Sequence, residues 1–205
     1  MDLHKYDSYE QYVTIQSTGN QKANISRVWV NERNIEFAVT VLSGMNIPLR
    51  FGICHGTRYG NEQKWFRKYA PSCQVIGTEI SRSLAEEIPD TVCMDFQDTR
   101  AEWVGRADFI YSNAFDHTCD PARTMKVWTQ QLNARGVIIL EHTTGHEGEP
   151  TALDPFRATV PEMIASVPVW TDEMFHVLNT VNTPFRYKSH TTSVFLLIGS
   201  RYTYP

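Results

Sequence analysis

Residues 49–60 read Leu49-Arg50-Phe51-Gly52-Ile53-Cys54-His55-Gly56-Thr57-Arg58-Tyr59-Gly60. The segment Leu49 to Cys54 is short enough for a buried strand, and it runs straight into a turn carrying three glycines at intervals of four. A helical stretch, Asn61 to Tyr69, follows. The same alternation continues downstream. Cys73 to Thr78, Thr91 to Met94 and Ala107 to Tyr111 read as the second, third and fourth strands. Asp120-Pro121 caps a helix over Ala122 to Leu132, Gly136 ends it, and Val137 to Leu140 forms a fifth strand. Strands alternating with helices predict a parallel sheet covered on both faces, joined by right-handed crossovers. In such a sheet the ligand crevice lies beyond the carboxyl ends of the strands.

Upstream, Tyr6 to Ser17 and Val28 to Leu42 carry apolar residues at mixed spacings of three and four, which predicts two helices before the sheet. Asn46-Ile47-Pro48 breaks the pattern. Beyond the fifth strand, Val160 to Val167 suits a short helix. Met174 to Val181 and Thr192 to Gly199 are β-rich runs joined through Asn182-Thr183-Pro184, as in a hairpin. The expected architecture is therefore α/β and doubly wound, with a mostly parallel sheet and an antiparallel C-terminal hairpin. One domain over 1–205 is expected: N-terminal helices covering the site in 1–45, a ligand-binding core in 46–145, and a C-terminal helix and hairpin in 146–205.

The composition fits a globular domain. Of 205 residues, 41% are hydrophobic and 20% charged, and such a length buries about 70% of its unfolded surface without disulfide staples. Lys plus Arg number 19 against 23 Asp plus Glu, a net charge of −4, so a duplex nucleic-acid partner is disfavoured. The longest apolar runs fall far short of the ~20 residues that span a bilayer, and Asp2, Asp7 and Glu10 do not suit a signal peptide. A cytoplasmic protein is expected. Cys54, Cys73, Cys93 and Cys119 show no C-x-x-C spacing and read as buried free thiols, the first three within strands.

Each strand ends in polar or glycine residues. After the first come Gly52, His55, Gly56, Thr57 and Arg58, where glycines let the backbone approach a nucleotide, although the dinucleotide fingerprint G-x-G-x-x-G is absent. The second ends in Thr78-Glu79-Ile80. An acidic side chain about 20 residues beyond the central glycine can accept from both hydroxyls of a ribose. Asp95, after the third strand, can accept from an adenine amino group while Phe96 covers the ring. The fourth ends in Ser112-Asn113-Ala114-Phe115-Asp116-His117.

The segments Gly52 to Gly60, Val75 to Glu79, Met94-Asp95-Phe96, Asp108 to His117 and Arg135 to Glu141 together resemble the successive motifs of class I S-adenosylmethionine-dependent methyltransferases. Their antiparallel sixth and seventh strands match the closing hairpin. The resemblance covers about residues 27 to 200 and implies a Rossmann-like, seven-stranded sheet. It implies S-adenosylmethionine as cofactor, S-adenosylhomocysteine as product, and a binding set of Gly52, His55, Gly56, Thr57, Arg58, Glu79, Ile80, Asp95, Phe96 and Asn113. Because the first motif departs from G-x-G-x-G, Arg58 is assigned to the cofactor's carboxylate. The phrases His55-Gly56-Thr57-Arg58, Gly77-Thr78-Glu79-Ile80 and Asp116-His117 are similar to a microbial and viral subgroup found with glycan-building enzymes. The implied acceptor is a carbohydrate hydroxyl, a deoxyhexose such as rhamnose among the choices, and the implied setting is a larger protein that includes glycosyltransferase domains.

A sugar hydroxyl is about as weak an acid as water, so a base or a metal must help remove its proton. His117 is assigned as that base, oriented by Asp116, since histidine is the side chain that titrates near neutrality. Asp116, His117, Glu141, His142 and His146 form a chemically possible metal set, but the spacing does not demand a metal and none is assigned. Tyr6, Tyr9, Tyr12, Trp29 and Phe37 precede the first strand on helices that can lie over the crevice. Three rival readings remain: a nicotinamide dehydrogenase, which gives no reason for Asp95 or the hairpin; a non-catalytic cofactor-binding module; and a methyltransferase for a small non-sugar acceptor.

Overall fold

A computed structural model describes residues 1–22, 29–144, 149–185 and 192–201. The chain runs β1 (Asp2–Leu3), α1 (Tyr9–Lys22), α2 (Glu32–Gly44), β2 (Phe51–His55), α3 (Asn61–Tyr69), β3 (Gln74–Glu79), α4 (Arg82–Glu87), β4 (Thr91–Cys93) and β5 (Ala107–Ser112). It continues through α5 (Pro121–Gln131), β6 (Leu132–Thr144), β7 (Phe156–Arg157), α6 (Val160–Trp170), β8 (Phe175–Asn182) and β9 (Thr192–Ser200). Seven strands form one sheet in the order β4-β3-β2-β5-β6-β9-β8. The first five are parallel, and β9 lies antiparallel between β6 and β8. This is the expected doubly wound architecture. Sequence order reverses on either side of β2, so the crevice opens at the carboxyl ends of β2 and β5.

Period-two side-chain alternation builds both layers from the same strands. Cys54, Phe109, Tyr111, Val137, Ile139, Phe195 and Leu197 pack on one face with Ile35, Ala38 and Leu42 of α2 and Phe66 of α3. Their neighbours Ile53, Ile110, Ile138, Leu140, Leu196 and Ile198 pack on the other face with Met125 and Trp128 of α5 and Met163 and Val167 of α6.

Gly52 belongs to this packing. A Cβ there would stand 2.1 Å from the Phe109 ring, so glycine is required for the aromatic side chain to cross β2. At the opposite end from the crevice, Asp108 joins three strands. Its Oδ2 accepts from the Arg50 and Phe51 amides, both at 2.9 Å, and its Oδ1 from Asn133 Nδ2 at 2.7 Å.

Two local details differ from expectation. Helix α5 stops at Gln131, and β6 starts at once with Leu132 opposite Ala107. A register irregularity then carries the strand to Val137 opposite Phe109, so Gly136 lies inside a bulged strand and does not end a helix. Cys93 is exposed, in contrast to buried Cys54 and Cys73, because β4 is an edge strand. The hairpin pairs as expected, although most of its connection beyond Phe185 lies outside the described residues.

Candidate active site

The turn after β2 is the first wall of the site. Gly56 has φ +71°, and a Cβ on it would lie 2.7 Å from Ala114 Cβ and 3.6 Å from the Phe96 ring. A bare backbone is therefore needed where β2, β4 and β5 deliver their loops. The turn is fastened to β3: Thr57 N donates to Thr78 O at 3.0 Å, and Arg58 N to Glu79 Oε2 at 3.1 Å. Glu79 also accepts from Ser81 N at 2.8 Å through Oε1. Burial raises its carboxyl above the usual range, while those two amides oppose the shift. Each oxygen keeps a lone pair for a further donor.

Beyond β4, Asp95 accepts from Gln97 N at 2.9 Å and from Tyr9 Oη at 2.8 Å. Burial raises its carboxyl as well. The Tyr9 bond brings α1 across the crevice, and Tyr12 and Trp29 join the lining. Phe37 instead packs on the sheet, its ring 5.9 Å from Phe195.

These residues enclose a cavity of about 500 Å³ at the carboxyl ends of the parallel strands. Gly56, Thr57, Arg58, Glu79, Ile80, Asp95, Phe96, Asn113, Asp116 and His117 line it. Gly52 and His55 do not. Gly52 serves the packing of Phe109, and His55 is only 1% exposed. Its Nε2 faces Gln131 Oε1 at 2.9 Å, its Nδ1 faces Thr78 Oγ1 at 3.0 Å, and its ring stacks 4.8 Å from Trp128. Both ring nitrogens are thus used internally, and the expected ligand contact is replaced by a packing role.

A second cavity of about 420 Å³ lies beside the first, against β7 and the start of α6. The two share Asn113, Asp116, Glu141, Thr143 and Asp154, so the loop after β5 separates them. His117 lines the larger cavity, next to the shared residue Asp154. Its Nδ1 meets Gln16 Oε1 at 3.0 Å, and its Nε2 lies 3.8 Å from Asp154 Oδ1. The amide nitrogen of Gln16 is committed to Leu153 O at 3.0 Å and Ala152 O at 3.3 Å. The Gln16 oxygen therefore accepts, His117 Nδ1 carries the proton, and Nε2 keeps its lone pair. The expected orienting partner was Asp116. Gln16 of α1 makes that hydrogen bond, and Asp116 instead lines both cavities. Neither Gln16 nor Asp154 stands near His117 in sequence.

Glu141 does not join that cluster. It accepts from Asn34 Nδ2 at 2.7 Å and Ser193 Oγ at 3.0 Å, and from the Tyr111 hydroxyl. Burial raises its carboxyl. Donor atoms of Asp116, His117 and Asp154 lie within 4.8 Å of one another, near enough for one metal ion. His146 lies outside the described residues.

No family model matches the sequence, and no curated protein matches it. Solved structures do. A 1,6-didemethyltoxoflavin-N1-methyltransferase from Burkholderia thailandensis, with bound 1,6-didemethyltoxoflavin and S-adenosylhomocysteine, is similar at TM-score 0.71 and 13% identity. The match covers 96% of this chain and 92% of that one. An S-adenosylmethionine-dependent methyltransferase from Clostridium acetobutylicum is similar at TM-score 0.61 and 10% identity, over 94% and 98% of the two chains. The cyclase SpnF, at TM-score 0.63 and 11% identity over 92% of each chain, shares the architecture too. The fold is thus that of the class I methyltransferases. At these identities the likeness establishes fold alone, and the cyclase shows that the fold carries more than one chemistry.

Proposed function

We propose that the chain is an S-adenosylmethionine-dependent O-methyltransferase acting on a hydroxyl of a carbohydrate. The observation that carries the reading is a histidine in the larger cavity whose Nε2 lies beside Asp154, a residue that lines both cavities. The larger cavity fits an adenosyl cofactor. Thr57 and Glu62 are among its lining residues, and their Oγ1 and Oε2 atoms are buried with no hydrogen-bond partner among the described residues; buried polar atoms of this kind call for donors and acceptors. Glu79 would hold the ribose, Asp95 and Phe96 the adenine, and the Gly56–Arg58 turn the amino-acid end, with Asn113 beside it. When bound, S-adenosylmethionine supplies a methyl group on a sulfonium, activated for in-line displacement.

The chain's own part is to position, desolvate and deprotonate. The acceptor would enter from the second cavity, its hydroxyl reaching past Asp116 and Asp154 into the larger one, and give its proton to His117 Nε2. Gln16 holds the imidazole in the required tautomer, and Asp154 stabilises the imidazolium that forms. Asp116 borders both cavities, where its carboxylate can accept from a neighbouring hydroxyl. Lining side chains of the second cavity combine Asp2, Asp116 and Asp154 with Phe115, Phe156 and Pro161. Carboxylates facing hydroxyls beside apolar rings suit a deoxyhexose such as rhamnose, and they disfavour an anionic acceptor. The proposal extends to its setting, a cytoplasmic enzyme of glycan assembly working beside or joined to glycosyltransferase domains.

Methyl transfer from labelled S-adenosylmethionine to a panel of free sugars, glycosides and small non-sugar alcohols tests the reading. Calorimetry with S-adenosylhomocysteine and NAD accompanies it. Turnover on sugars with binding of S-adenosylhomocysteine alone is the expected result. Binding without turnover on any acceptor would favour the non-catalytic module.

A further inference from the structure

One buried carboxyl is used neither by the fold nor by the proposed transfer. Glu62 lies in the first turn of α3, is 6% exposed, and lines the larger cavity. Its Oε2 has no hydrogen-bond partner among the described residues. An acid in the first helical turn is favoured by the helix dipole at an exposed position, but that does not explain burying one beside a cavity. Its surroundings oppose ionisation. Glu141 of β6 and Glu79 of β3 act on it as like charges, and Cys54 of β2 and Tyr111 of β5 are the other titratable groups coupled to it. Burial, reinforced by those two carboxylates and partly opposed by a backbone amide, pushes the Glu62 carboxyl up to about 8.

Such a group calls for a cationic donor. An S-adenosyl cofactor carries two cationic centres. The sulfonium has no N–H to offer, whereas the α-ammonium has three donors. Glu62 also directly follows the β2 turn, whose Thr57 Oγ1 is likewise buried and without a partner among the described residues. We propose that Glu62 is the counter-ion of the α-ammonium at the amino-acid end of the cofactor. The inference rests on the cofactor reading above. It carries a linkage: Glu62 is largely protonated in the ligand-free protein at neutral pH, and the arriving ammonium holds it ionised, so binding releases a proton.

Calorimetry on the full chain, wild type and Glu62→Gln, with S-adenosylhomocysteine and with 5′-methylthioadenosine, which lacks the amino-acid end, tests this. Glu62→Gln is expected to weaken S-adenosylhomocysteine binding about ten- to a hundredfold and to leave methylthioadenosine within about twofold. Near pH 7, binding of S-adenosylhomocysteine to wild type should release roughly one proton, read from the dependence of enthalpy on buffer ionisation. That release should vanish in the variant and with methylthioadenosine. Equal weakening of both ligands, or of neither, would overturn the assignment while leaving the cofactor reading intact. Failure of wild type to bind either ligand would overturn both. The proton count is measured on wild type, so it decides the matter even if the variant does not fold.

Discussion

His55 looks like a ligand residue in the sequence and is a core residue in the fold, and acid separates these roles. Burial lowers its pKa from the ordinary 6.5 to about 4, against a smaller opposing contribution from Gln131. With Gln131 Oε1 accepting from Nε2, the lone pair on Nδ1 accepts from the Thr78 hydroxyl, and a proton placed there would displace that bond. The sign follows from linkage: a histidine harder to protonate when folded favours the unfolded state as pH falls. Its contribution is constant above about 6.5 and is lost progressively down to about 4. Between about pH 7 and 4.5 the loss integrates to about 2 kcal/mol at 25 °C. Urea unfolding of wild type and His55→Asn across that range measures it. The buried carboxyls of Glu62, Glu79, Asp95 and Glu141 titrate in the opposite sense, so the quantity to read is the difference in pH dependence between the two proteins. The variant should be less stable at pH 7 and should lose about 2 kcal/mol less on acidification. Parallel curves, within about 0.5 kcal/mol, would show that His55 is not held neutral by its packing.

Other perturbations address the site. Glu79→Ala should weaken S-adenosylhomocysteine about ten- to a hundredfold, the cost of a carboxylate partner to the ribose, and unchanged affinity in the folded variant would remove Glu79 from the site. Asp95→Asn exchanges an acceptor for a donor, so the variant should favour the inosine analogue over the adenosine one relative to wild type, as competition binding would show. His117→Ala should reduce kcat about 10²–10⁴-fold while cofactor affinity stays within a few fold. Gln16→Leu leaves His117 in place but removes the acceptor for Nδ1–H, so kcat should fall with KM nearly unchanged, and equal kcat would refute the tautomer argument. Chelator should leave turnover intact. Abolition by chelator, with rescue by a divalent ion, would convert Asp116, His117 and Asp154 from a proton-transfer group into a metal site.

What the sequence made legible was periodic or local. The strands around Ile53, Val75, Ile110 and Ile138 are apolar runs bounded by turn residues, and their alternation with helices determines the parallel sheet and the end at which the crevice opens. Glu79, Asp95 and Asn113 follow from that because each ends or follows a strand. Helix α4 was not legible. It spans only Arg82–Glu87, too short for a helical period to show, and a lone serine before it is a weak start signal. The partners of His117 were illegible for a different reason. Gln16 comes from α1 and Asp154 from the segment before β7, so their meeting depends on how those pieces fold over the sheet. His55 misled because a histidine beside a glycine turn reads the same whether its ring points along the crevice or into the layer of Trp128.

Burial explains why the site is costly to keep without a ligand. Glu62, Glu79 and Glu141 are each at most 8% exposed, and burial raises all three carboxyls. Glu141 is supported by Asn34, Ser193 and Tyr111, and Glu79 by two amides, so their polar demands are largely met within the fold. Glu62 stands apart, with an oxygen that no described residue serves. A core built for stability alone would place glutamine or an apolar residue there. Retaining the acid makes sense if its partner arrives with the ligand, and that same arrival strengthens the folded state by mass action. The destabilisation of the ligand-free chain and the affinity for the cofactor would then have one origin, the unmet Glu62 oxygen.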